Sequence, residues 1–121
     1  MRYLRIYAED DGASRFEDVE LKGTRTHIVD GVPPLLLSDP FACSEITFVE
    51  QPKDTVDWAA HVAPRKQWVI VLPGRVAITT TDGNCREVGP GEVILAEDTA
   101  GRGHLATPLT VDFRFAMISI V

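Results

Sequence analysis

Two carboxylates and an imidazole stand around one turn of this chain. In "GPGEVILAEDTAGRGHLATP", residues 89 to 108, the apolar run Val93-Ile94-Leu95 leads to Glu97 and Asp98, and His104 follows a Gly-rich bend. A histidine titrates close to neutral pH, and a carboxylate beside it fixes its tautomer and raises its basicity. Asp98 and His104 paired in this way would suit proton-transfer chemistry: isomerisation, cyclisation, or elimination α to a carbonyl. The plainer alternative has His104 donating to a backbone carbonyl and Asp98 closing the turn through an Asx hydrogen bond.

The elements that must position these groups are strands. "RYLRIYA" (2–8) and "CSEITFVEQ" (43–51) alternate apolar and polar residues, as strands with unlike faces do. "KQWVIVLPG" and "RVAITTT" are β-branched runs that meet at Pro73-Gly74, and Asp82-Gly83 is a strong hairpin signal before "CREV". "EVILAE" reads as the next strand, and the closing "LTVDFRFAMISIV" is long enough for one bent strand or two. "SRFEDVEL", "THIV" and the Pro-rich "GVPPLLLSDP" are weaker strand candidates, and only residues 54 to 60 leave room for a helical turn. Many short strands between Gly/Pro turns predict one all-β domain over residues 1–121, a sandwich or small barrel. A hairpin over residues 67–96 brings its outer ends together, so His61 and His104 are expected to meet. Gln67 shares a strand face with Val69 and Val71, while Lys66, Trp68 and Ile70 share the other. If the first face lines the interior, Gln67 points inward beside His61.

The spacing His61-x-Ala63-x3-Gln67-x6-Gly74 resembles the first motif of the cupin family, which has two histidines, a glutamate and a glycine at those intervals. "GPGEVILAEDTAGRGH" is similar to the second motif, and its loop resembles the "EDTTGKGH"-like loops of a subgroup of small bacterial cupin-domain proteins. Ala63 stands at the second histidine, Gln67 at the glutamate, and Glu97 at a proline position of the longer second loop. The likeness spans roughly residues 57–107. It implies a jelly-roll or double-stranded β-barrel, and a homodimer through exchanged or apposed N-terminal strands. It also implies a divalent metal, Mn, Fe, Ni or Zn, held by His61, Gln67 and His104, with Glu97 or Asp98 supplying the missing anion.

Composition narrows the partners. A net charge of −6, with no basic stripe, argues against a nucleic-acid backbone and leaves small molecules. No apolar run approaches a membrane span, and the N-terminus has no signal-peptide pattern, so the cytoplasm is expected. Cys43 and Cys85 form no C-x-x-C pair and read as free thiols. Arg65 and Arg102 would receive an anionic substrate at the mouth, or are solvated turns. Trp68, like Trp58, would line the pocket, or belongs to core or dimer contact. His27 reads as an ordinary strand histidine.

Two functions follow. One is a cupin-type isomerase, cyclase or lyase acting on an organic acid or carbonyl compound, with or without metal assistance. His61, His104 and Asp98 are its catalytic groups, and Gln67, Arg65, Arg102 and Trp68 stand at the substrate. The other is a non-catalytic small-molecule binder that has lost its metal, which Ala63 and Gln67 favour.

Overall fold

The computed structural model describes residues 1–55 and 57–121. Eleven strands run in chain order: β1 (Arg2–Ala8), β2 (Ser14–Glu20), β3 (Thr24–Thr26), β4 (Leu35–Leu37), β5 (Cys43–Gln51), β6 (Gln67–Val71), β7 (Val76–Thr80), β8 (Cys85–Val88), β9 (Val93–Ala96), β10 (His104–Pro108) and β11 (Phe113–Ile120). The all-β expectation holds. No described helix is long and apolar enough to cross a membrane.

Six strands form one sheet in the order β2-β1-β9-β6-β11-β5, three form a second in the order β10-β7-β8, and β3 pairs with β4. Within the large sheet only β1 and β9 are parallel. These sheets are open: β2 and β5 are the free edges of the first, and among the described residues none closes as a barrel.

The core lies between the two larger sheets, where Leu4, Ile6, Val71 and Ile94 of the first meet Val76, Ile78 and Val88 of the second. Period-two patterning explains this placement. Leu4 and Ile6 are buried while Tyr3, Arg5 and Tyr7 point the other way, and Gln67, Val69 and Val71 repeat the arrangement on β6.

Several elements differ from expectation. "HLATP" forms β10 and pairs with β7, although the sequence presents it only as the end of a bend. The C-terminal run is one strand, with an irregularity between Ser119 and Ile120. His27 lies just past β3 and is exposed, because the strand predicted at "THIV" ends at Thr26. At 54–60 the described positions hold turns and bends, and Val56 lies outside the described residues.

Candidate functional site: two histidine–aspartate pairs at an apolar cavity

The nested hairpin works as the sequence suggests. β6 and β9 pair with Gln67 opposite Ala96, which draws the segments outside them together. His61 and His104 then form an isolated antiparallel rung: His61 N–H donates to the His104 carbonyl at 3.0 Å, and His104 N–H donates back at 2.9 Å. Residues so paired send their side chains to the same face, and the imidazole centroids are 5.3 Å apart.

Each imidazole has its own carboxylate. His104 Nδ1 lies 2.5 Å from Asp98 Oδ2, and Asp98 is completely buried. The main chain fixes that aspartate, because Ala63 N–H donates to the Asp98 carbonyl. Its second oxygen, Oδ1, is buried with no hydrogen-bond partner among the described residues. Buried acceptors are nearly always satisfied, so an unpartnered one calls for an explanation. A carboxylate on Nδ1 fixes the tautomer with hydrogen there and leaves Nε2 to the cavity as a lone-pair acceptor. The expected Asp98–His104 pair is therefore present.

The second pair has no counterpart in the sequence reading. Asp57 Oδ2 lies 2.9 Å from His61 Nε2 and also accepts the Ala106 N–H at 2.6 Å. The sequence places Asp57 in "PKDTVD", which reads as a plain turn. The available signal is the four-residue spacing to His61, which only the loop's course makes meaningful. His61 Nδ1 faces the Val62 carbonyl at 3.2 Å. Both ring nitrogens thus face acceptors, the arrangement that suits an imidazolium.

Partial burial works against that charge, but the Val62 carbonyl and the Asp57 carboxylate outweigh it, and the pKa of His61 is raised above the usual imidazole value. A histidine whose pKa rises on folding stabilises the fold fully below about pH 6.5, and the contribution is lost as pH rises through the higher folded-state value. Thermal melts across this range should show that loss of stability on the alkaline side. Asp57→Asn, which keeps the acceptor for Ala106 but removes the charge, should flatten it.

The two histidines border a cavity of about 270 Å³ between the sheets. Hydrocarbon from Ile6, Val69, Ile78, Ile94, Phe113 and Phe115 forms most of its wall, and Asp57, Gln67 and Gln51 add polar groups. The His61 side chain is 53% exposed and marks the mouth, while that of His104, 13% exposed, lies deeper. Gln67 is buried, and among the described residues its Nε2 donates only to the sulfur of Met117, at 3.5 Å. A thioether is a weak acceptor, so that amide retains donor capacity for a ligand.

Four expected site residues lie elsewhere. Glu97 turns away from the cavity to Arg5 at 3.1 Å and Lys66 at 3.4 Å, since successive residues leaving a strand alternate sides. Arg65 pairs with Glu45 and reaches the Ser119 hydroxyl. Arg102 donates to the Asp11 carbonyl on the far side of the Gly-rich bend. Trp68 is buried on the face opposite Gln67, edge-on between Tyr3 and Phe41.

This placement bears on the metal that the sequence resemblance implies. His61 has both nitrogens engaged, Ala63 offers no donor, and Glu97 is held by two cations. The described residues contain no group of three or more His, Cys, Asp or Glu side chains set to hold an ion. As arranged, His104 Nε2 and the Gln67 amide are a poor donor set for a divalent ion, which calls for three or four ligands. The residues present do not fit the metal.

No family model matches the chain, and no curated protein matches it.

Proposed function

We propose that the protein is a small-molecule enzyme of cupin-like, jelly-roll descent that moves a proton on an organic acid or carbonyl compound without a metal. The observation that carries this reading is the buried Asp98–His104 pair on an otherwise apolar cavity. His104 Nε2 would take a proton from the carbon α to a carbonyl. The C–H electron pair becomes the new C=C bond, and the carbonyl π pair moves onto oxygen. The Gln67 amide is placed to donate to that oxygen, and Asp98 sits beside the nitrogen where positive charge develops. With a β,γ-unsaturated carbonyl compound, return of the proton to the γ carbon, as the oxygen pair re-forms the carbonyl, completes an isomerisation. With a β-substituted one, the enolate pair becomes the Cα=Cβ bond and the substituent leaves with its bonding pair, taking the proton from His104. His61, with Asp57, is the second proton carrier at the mouth.

The test is loss of α-deuterium to water from small deuterated ketones, followed by proton NMR. Wild-type protein should accelerate the exchange, and His104→Gln should return it to the buffer rate. Equal rates for the two proteins would end the catalytic reading. The second reading, a non-catalytic binder, is favoured by the hydrocarbon wall and by Ala63; it predicts saturable binding without exchange.

We further propose a cytoplasmic homodimer. Free, exposed Cys43 and Cys85 suit a reducing compartment. β5 is an open sheet edge that exposes Ile46 (55%) and Phe48 (72%), whereas the opposite edge, β2, is protected by Arg15, Glu17, Asp18 and Glu20. Sedimentation equilibrium should give twice the chain mass, and Phe48→Glu should shift it to monomer.

A further inference from the structure

Resting on the reading of the cavity as the substrate site, we infer that its ligand is an uncharged, ring-sized carbonyl compound rather than a carboxylate. Charge decides this. Among the described residues no lysine or arginine lines the cavity. His61 is already engaged by Asp57 at 2.9 Å. Asp98 is a second carboxylate, directly behind His104. The mouth therefore carries two carboxylates, each already paired with an imidazole, and no Lys or Arg among its described lining residues. The arginines expected to receive an anion are committed outside, Arg65 to Glu45 and Arg102 to the Asp11 carbonyl. A carboxylate entering here would lose its hydration beside two existing carboxylates and find no Lys or Arg in the described lining to replace it.

The polar groups that remain match a neutral carbonyl compound. Gln67 Nε2, held among the described residues only by the Met117 sulfur, is a donor for the carbonyl oxygen. His104 Nε2 is an acceptor for an acidic C–H or for the hydroxyl of the enol form. Size sets the remainder. An apolar protein cavity of about 150 Å³ holds one benzene ring. The present volume of about 270 Å³ therefore admits a ring with a short substituent. Phe113, Phe115 and Met117 offer that ring an aromatic and thioether wall.

Acetophenone and benzoate provide the comparison, because they share a ring and nearly the same shape but differ by one charge. Titration of the full chain, followed by protein-amide NMR shifts at pH 7.5, should show acetophenone binding at least about tenfold more tightly than benzoate, a modest demand for one uncompensated charge at this range. Gln67→Leu should weaken acetophenone by about fivefold, the value of one hydrogen bond, and should not weaken ethylbenzene, which lacks the carbonyl. Benzoate binding as tightly as acetophenone overturns the inference, and so does failure of both to bind. Acetophenone binding with the expected preference but without α-deuterium exchange sinks the catalytic reading and leaves the charge preference standing.

Discussion

Asp98→Asn should slow proton transfer at His104 by roughly 10²- to 10⁴-fold, since general-base catalysis is worth about that range and replacing the orienting aspartate of a catalytic triad by asparagine costs about 10⁴. The substitution keeps the size of the side chain, so the cavity and the rung between residues 61 and 104 should persist. Two things would be lost: the charge behind the imidazole, and the bias that keeps hydrogen on Nδ1. An amide can present its NH₂ to Nδ1, which moves the ring hydrogen to Nε2 and turns the base into a donor. The measurement is α-deuterium exchange beside the melting temperature of the same variant. Exchange should collapse while the melting temperature changes by only a few degrees. A large fall in both would mark Asp98 as structural, and retention of exchange would show that His104 works without it.

Gly103→Ala should be the most destabilising single-methyl change at the site. Gly103 has φ of +74°, in the left-handed region, and an added Cβ would overlap the carbonyl carbon and oxygen of His61. Backbone strain costs about 1–3 kcal/mol, and the overlap requires parting the 61–104 rung, for a combined loss of about 3–5 kcal/mol. In a chain of this size that lowers the melting temperature by roughly 10–20 °C. The carbonyl of Gly103 also accepts the hydroxyl of fully buried Ser14, so the displacement would spread to β2. A melting temperature within a few degrees of wild type would mean that the mouth tolerates rearrangement and that the histidine spacing is not fixed as described.

Much of this arrangement was legible in the sequence because it follows from alternation. The face shared by Gln67, Val69 and Val71, and the meeting of His61 with His104 outside a hairpin, need only period-two patterning and nested pairing. Asp98 was legible as well, since only a bend separates it from its partner. What escaped depends on the course of loops. Asp57 reaches His61 because the segment between them folds back, and Ala106 N–H, far along the chain, anchors it. Adjacent acids Glu97 and Asp98 look interchangeable on the page, yet they point to opposite sides, one toward Arg5 and Lys66 and the other toward His104. The arginines misled for a related reason. Proximity in sequence places them near the site, but their long side chains settle on Glu45 and the Asp11 carbonyl. β10 was hidden by its Gly-rich approach and its terminal proline.

The two imidazoles are held apart by main-chain geometry, since residues 61 and 104 exchange both amide bonds across one rung. Whatever side chains occupy those positions will project together into the same opening. The separation of the two points of attachment is thus inherited from the backbone, whatever the side chains are. That makes the rung a fixed socket: new pairs of functional groups can be installed there while the scaffold keeps their attachment points at one spacing.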